Sequence, residues 1–528
     1  MDIIEKEKKK RTILYGLLVT VLVLIGVTYA YYRITKTQTN SNVIGTRTCL
    51  DTTLTEETSE IVLSDAFPIS DEDGLKQSPF TFTLTNNCDS YVKVTIALVS
   101  EYRTSTNTSY LKDNYVKSNL STKGTNDGSS VILSTLPLGE VDTNTEGYVL
   151  KTTGLKNKEA KSFDLRLWLD SETTNEQGLN KTWKGKIVVS VVAAEYVPTL
   201  SEAILAKNEV KAPITTPGAA ISTADEAELA STEDDYGTSY YFRGAVKNNY
   251  VEFANKCWRI VRVSEDGSVK LILHNDNTAG VANPCDAANN SASAAFARYS
   301  DETYTSAFNT NKDDNAYVGF KYGTPGSSTY EATHANINNS TILTNLETWY
   351  NNNLKTYEKV IDDTVWCNDK TNVTDTTYNP YGINYKNVNG LGYAKNGTYY
   401  GATQRLVRRS NSAGGAGPSL KCNGELSKIN SKIGLITADE LALAGYAYGL
   451  QNSATYLQEN ATGNSWWSLS PNRFSDGFAS VWIVGFSDGD FGIGLLGNAY
   501  GVRPSISLKS TTNVTGDGTS SSPFIISM

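Results

Sequence analysis

One stretch governs how everything after it can fold. Residues 12–32, TILYGLLVTVLVLIGVTYAYY, carry no charge, and a helix needs a run of about this length to cross the hydrocarbon core of a bilayer. The basic run KEKKKR (6–11) precedes it, and the RITK that follows is less basic. Lys and Arg accumulate on the cytoplasmic side of a span, so residues 1–11 are expected to be a cytoplasmic basic tail and everything after Tyr32 to lie outside. The chain then reads as a single-pass cell-membrane protein with an extracellular bulk. The same stretch also fits a signal peptide cleaved after Ala30, which would release the protein.

Export changes the reading of the six cysteines, Cys49, Cys88, Cys257, Cys285, Cys367 and Cys422. They are spread out with no C-x-x-C, so a zinc site is not expected. An even set in an oxidising compartment reads as disulfides. The simplest pairing stays within domains: Cys49–Cys88, Cys257–Cys285 and Cys367–Cys422. Buried free thiols are the alternative. A loop like the first, once closed, contributes roughly 4 kcal/mol in the chain-entropy picture.

At 528 residues, with 39% hydrophobic and 20% charged residues, the chain is expected to fold as two or three domains. Its net charge of −9 argues against nucleic acid as a partner, because phosphate binding needs clustered Lys and Arg. Only two histidines occur, His274 and His334, which removes most metal sites and most His-based catalysis. No metal, cofactor or catalytic residue is assigned.

Residues 40–196 alternate apolar and polar side chains. PFTFTLTNN (79–87), YVKVTIALVS (91–100), KSFDLRLWLD (161–170) and WKGKIVVSVVAAEY (183–196) have the period of two that half-buried strands require, with polar turns between them. They predict an all-β sandwich. Phe80, Phe82 and Leu84 share one face; Leu165, Leu167 and Leu169 share another, with Trp168 opposite. TYAYY, FTLTNNCDSYVKVTIAL and FDLRLWLD followed by WKGKIVV resemble exported β-sandwiches of the camelysin and TasA type, which implies surface or matrix assembly. The metallopeptidase activity attributed to camelysin finds no His in this segment. DEDG (71–74) begins like a calcium loop, but position 82, where the bidentate Glu belongs, is Phe, so an acidic turn is expected.

Residues 197–235 hold a short helical pattern, PTLSEAILAKNEV, then a Pro-containing, small-residue, acidic stretch. They are read as a helix and linker with no packed core. Residues 236–528 open with a strand meander in which SEDG marks a hairpin at Asp266-Gly267. Leu343, Leu346, Trp349 and Leu354 recur at helical spacing within 340–361. Thr437 and Glu440 form a capping box at the start of another helix, after the strand KIGLI. The paired acids Asp362-Asp363 and Asp439-Glu440 stand out, and the start of a helix explains the second pair.

FGIGLLGNAYGVRPSISL (491–508) contains Gly492, Gly494 and Gly497 in a G-x-G-x-x-G spacing. A dinucleotide site needs a helix opening at those glycines. Pro504 and the alternating SISL exclude one, and SDGD (487–490) reads as a hairpin turn, so no nucleotide is expected. ITADELALAG followed by WWSLSP, FASVWIVGFSDGDFG and GVRPSISL resembles the C-type lectin-like fold, in the branches of formylglycine-generating-enzyme-like domains and bacterial surface domains. The resemblance implies an α+β domain over 236–528. The oxidase chemistry of the first branch uses paired C-terminal cysteines, and no Cys follows Cys422. The calcium motifs of lectins are absent too: SPN (470–472) lacks the acidic or amide first residue.

The expected architecture is a membrane-anchored two-domain protein: an N-terminal transmembrane helix, a β-sandwich spacer and a C-type lectin-like head. Its expected function is surface binding or adhesion toward an extracellular glycan or surface protein. Candidate contacts are Asn472, Phe474, Asp476, Trp482, Phe486, Asp488, Asp490, Asn498 and Tyr500, because aromatic side chains beside small polar ones suit glycan or protein partners. A matrix or fibre subunit and a carboxylate- or oxidase-type enzyme are the alternatives. The topology predicts that protease added to intact cells removes the segments after residue 32; protection of 236–528 until lysis would reverse it.

Overall fold

The computed structural model describes residues 34–37, 51–57, 61–64, 66–142, 145–211, 221–300, 302–374, 397–406 and 416–527. The apolar stretch 12–32 and Cys49 lie outside them. Among the described residues, no helix is long and apolar enough to cross a membrane. The chain divides into two compact units between Tyr196 and Val197.

The first unit is a β-sandwich of two six-stranded sheets. One sheet runs Ile34–Thr37, Thr182–Ala193, Val92–Ser100, Thr145–Leu155, Leu138–Asp142, with Ile61–Ser64 also on Thr182–Ala193. The other runs Thr52–Glu56, Phe80–Asn86, Ala160–Asp170, Val116–Thr122, Val131–Ile132, with Pro68–Ile69 lying parallel to Ala160–Asp170. Alternation is the cause. Phe82 and Leu84 face Ile96, Leu98, Ile187 and Val189 in one apolar core. Leu165 and Leu169 are buried there and Leu167 packs against it, while Trp168 turns to the opposite face and is covered by the short helix Asp71–Gly74. That helix is the acidic DEDG, neutralised by Lys76 on Glu72 and Lys117 on Asp71, each at 2.8 Å. The buried carboxylate Asp113 is tolerated because Tyr148 Oη and Trp183 Nε1 donate to it at 2.8 and 2.7 Å.

The second unit has one core from Leu200 to Ile526. A nine-stranded sheet includes Ala227–Glu233, Thr238–Gly244, Lys256–Val263, Val269–Asn275 and Ser505–Leu508. A six-stranded sheet includes Tyr500–Gly501, Trp466–Ser475, Phe478–Val484 and Phe491–Leu495. The SEDG hairpin forms, with Gly267 at φ +81° in the left-handed region that favours glycine. The helix Thr341–Asn353 buries Leu343, Leu346 and Trp349, and Leu354 caps its end. The helix Ala438–Ala444 starts on the Thr437–Glu440 capping box. KIGLI makes only a single bridge, Gly434 to Ser505, instead of a strand.

The linker reading of 197–235 requires correction. The helix Leu200–Lys207 inserts Leu200, Ala203 and Ile204 into the second core, and the strand Ala227–Glu233 pairs along its length with Thr238–Gly244. The physical reason is amphipathic spacing: those three apolar residues occupy i, i+3 and i+4 and need a surface to cover. A fragment 197–528 is therefore expected to unfold cooperatively by circular dichroism. A fragment 236–528 loses the helix and a sheet strand and is expected to show no cooperative transition. Equal midpoints for the two would restore the linker.

Candidate functional site

The predicted contact residues do not form one surface. Trp482 is 1% exposed, packed between Phe491 and Tyr448 with ring centroids 5.0 and 5.3 Å away, and Asn472 is fully buried beside Thr403. Both belong to the interior and are withdrawn as contacts. Val481, Trp482 and Ile483 are all buried, so this strand is covered on both faces and its sequence does not show which side is outward. The remaining residues fall at opposite ends of the strand Phe478–Val484, about 20 Å apart at strand rise. Asp476 lies exposed in the hairpin turn after Trp466–Ser475, on which Phe474 is half-buried. Asn498 donates to Tyr500 Oη at 2.8 Å, and Tyr500 adjoins Gly501, which pairs with Trp466, itself the partner of Val484. At the Val484 end Phe486, Asp488 and Asp490 line a shallow groove of about 520 Å³ with Tyr448 and Ile493, and Phe486 is 60% exposed.

The glycines of GIGLLG take no part in a phosphate loop. Gly492 and Gly494 lie on the strand Phe491–Leu495, antiparallel to Phe478–Val484, and no helix follows. A side chain at Gly494 would meet Tyr500, Ile483 and Trp467 at 2.7, 2.8 and 2.9 Å, so close packing is what requires glycine there.

A more strongly built site lies elsewhere in the second unit. A cavity of about 230 Å³ brings both conspicuous acidic pairs, Asp362-Asp363 and Asp439-Glu440, to one place. Its floor is ionic. The hairpin Lys256–Val263/Val269–Asn275 presents Arg262 and Lys270, and the capped helix presents Glu440 between them. Lys270 Nζ is 2.7 Å and Arg262 Nε 3.1 Å from Glu440 Oε1, and Arg262 Nη1 reaches Asp234 at 3.4 Å. Beside this triad, Arg405 makes a bidentate pair with Asp439 at 2.7 and 2.8 Å and a third bond to Asp369 at 2.7 Å. The Lys270 ammonium also lies 4.7 Å from the Trp366 ring centroid.

Charge follows from that packing. Burial acts to raise the Glu440 carboxyl, but the Lys270 and Arg262 cations outweigh it and hold it below its ordinary value. Burial pulls Lys270 down to about 8 against the attraction of Glu440. For Arg405, burial acts downward, and Asp439 and Asp369 reverse it and keep the guanidinium fully charged. Every floor cation thus has an acidic partner inside the cavity. The rim differs: Asp235, Glu265, Asp266, Asp362 and Asp363 make no ion pair among the described residues, although Lys421 lines the cavity beside them and Lys428 lies within electrostatic reach of Asp235. Asp235 accepts the Cys422 N–H at 3.1 Å and Asp266 that of Ser268 at 2.9 Å.

The wall of the cavity includes Cys367 and Cys422, joined as a disulfide, and Cys257 and Cys285 form another. Cys88 is also disulfide-bonded; its expected partner, Cys49, lies outside the described residues. The two histidines lie elsewhere in the core, fully buried. Burial, with the Lys370 charge, pushes His334 down to about 3, and burial with Arg259 and Arg503 puts His274 well below its usual range. Neither takes up a proton near neutral pH. No group of three or more His, Cys, Asp or Glu among the described residues is arranged to hold a metal ion. The sequence marked the two acidic pairs, but not Arg262, Lys270 and Arg405, which reach the site from separate segments.

No family model, curated protein or solved structure matches this chain.

The floor generates a stability prediction. Glu440→Ala leaves Lys270 buried without its carboxylate and is expected to cost about 3–5 kcal/mol at pH 7, read by urea unfolding. Glu440 sits below its ordinary 4.5 in the folded state. Its contribution is present above that pH and is lost as pH falls through the folded value, so the gap from the unsubstituted protein narrows in acid. A constant gap from pH 7 to 3 would contradict the assignment.

Proposed function

We propose that the chain is a cell-surface binding protein. The apolar N-terminal stretch anchors it, the β-sandwich serves as a spacer, and the second unit, of C-type lectin-like architecture, receives a cationic group of an extracellular protein partner in the acidic cavity. The observation that supports this is the charge imbalance of the cavity. The floor cations Arg262, Lys270 and Arg405 are paired with floor acids, while Asp235, Glu265, Asp266, Asp362 and Asp363 line the cavity and make no ion pair among the described residues. A Lys or Arg side chain entering between them gains about 1 kcal/mol per carboxylate at 4 Å in a water-like medium, and more as water leaves. The paired floor suits binding better than proton transfer, because Lys270 is spent on Glu440 and Arg405 on Asp439 and Asp369.

Titration of the full chain with a tetralysine peptide tests this. Binding is expected to weaken steeply with salt, since rim charges are screened. Asp266→Asn with Asp363→Asn is expected to weaken it about 5- to 30-fold, for about 1–2 kcal/mol lost from two exposed charges. Phe486→Ala, in the separate groove, is expected to leave it unchanged. Absence of peptide binding, or binding indifferent to the two Asn substitutions, would overturn the cavity as the site. Glycan-array binding abolished by Phe486→Ala would move recognition to the groove.

A further inference from the structure

The two described disulfides occupy different surroundings. Cys257 lies on the strand Lys256–Val263 and Cys285 packs beneath Tyr250; the pair is 0% and 1% exposed. Cys367 ends the strand Thr364–Cys367 and is half-buried, and Cys422 is 9% exposed; both line the cavity. A thiolate must reach a disulfide sulfur along the S–S axis, so access decides which bond exchanges. The cavity opens a route to the second pair and none to the first.

Among the described residues, few other contacts hold the segment that the second bond fastens. Residues 416–423 form no helix or strand. Among the described residues, their backbone N–H groups bonded outside the segment are Gly417 to Arg405 O at 3.1 Å, Ser419 to Asp439 at 2.9 Å and Cys422 to Asp235 at 3.1 Å. Leu420 adds one partly buried contact against Ala230, Tyr241 and Leu443. Two of these three hydrogen bonds end on carboxylates of the cavity itself. The crosslink spans 55 residues, and its loss returns that loop-closure entropy to the chain.

We propose that Cys367–Cys422 is a redox latch on the cavity: a soluble dithiol reduces it in the folded protein while Cys257–Cys285 stays closed, and residues 416–423 then leave the cavity wall. A thiolate of the dithiol attacks one sulfur and expels the other cysteine as a thiolate. The second thiol of the reductant closes on its own sulfur and releases the remaining cysteine. Two electrons pass to the protein pair, and the reductant leaves as its cyclic disulfide. The effect on binding rests on the cavity being the ligand site, as argued above; the latch itself does not.

The full chain is titrated with dithiothreitol, alkylated, and mapped by peptide mass spectrometry. Cys367 and Cys422 are expected to be labelled at reductant concentrations at least tenfold below those that label Cys257 and Cys285, with the far-ultraviolet circular dichroism unchanged. Trypsin is expected to cut after Lys421 in the labelled protein and not in the oxidised one. Simultaneous labelling of both pairs, or continued protection of Lys421 once Cys367 and Cys422 are alkylated, would overturn the latch. Cys367→Ser with Cys422→Ser should make Lys421 cleavable without reductant; a folded double variant still protected there would also overturn it. Ordered labelling with no tetralysine binding in either redox state would support the latch and reject the binding reading.

Discussion

The second unit depends on one carboxylate doing three jobs. Glu440 Oε2 accepts the Thr437 N–H at 2.8 Å, which closes the start of the helix Ala438–Ala444. Its Oε1 takes Lys270 and Arg262 from the central hairpin. A capping box on a surface helix is a local device worth about 1 kcal/mol. Here the same residue pins the helix to the sheet, and the next residue back, Asp439, fixes Arg405 and the Ser419 N–H. Helix start, sheet and cavity wall are therefore coupled through two adjacent side chains.

The first unit works on different physics. Its two sheets meet over apolar faces, and Asp113 with Tyr148 and Trp183 forms a polar node within that core. Desolvation, the hydrogen bond to that carboxylate and its repulsion of a phenolate all raise the Tyr148 hydroxyl, which stays a donor at any physiological pH. The second unit instead places a paired ionic cluster, Lys270, Glu440, Arg405 and Asp439, within its folded interior beside a cavity.

The contrast explains what the sequence made legible. Sandwich strands such as Phe80–Asn86 and Thr341–Asn353 of the second unit announce themselves because a buried face repeats every two residues and a buried helical stripe every three or four. The capping box at Thr437 is local and was equally readable. Trp482 was not, since Val481 and Ile483 on either side are buried as well, and alternation loses its sign when both faces are covered. The helix Leu200–Lys207 was recognised as a helix, but eight residues carry too little pattern to say that Ile204 belongs to a core beginning beyond it. The cavity was least readable. Its walls come from residues near 235, 265, 365, 405, 420 and 440, and only folding makes neighbours of them. The two acidic pairs were visible as composition, and their shared destination was not.

A buried ionic cluster is a poor device for stability alone, because well-packed apolar residues of the same volume often do as well or better. Arg262, Lys270, Arg405 and their four acidic partners are persistent only under particular conditions: each charge must have a partner at hydrogen-bond distance, and polarisable surroundings must offset lost hydration. The first is met by bonds of 2.7 to 3.4 Å. The second is met by the cavity, which brings solvent to one side of the cluster, and by Trp366 under the Lys270 ammonium. Floor and opening are thus one arrangement. Filling the cavity with apolar side chains would strand the charges, and removing the charges would leave a polar hollow with nothing to shape it. That mutual dependence distinguishes this cavity from the exposed aromatic groove at Phe486, which no buried ion pair among the described residues shapes.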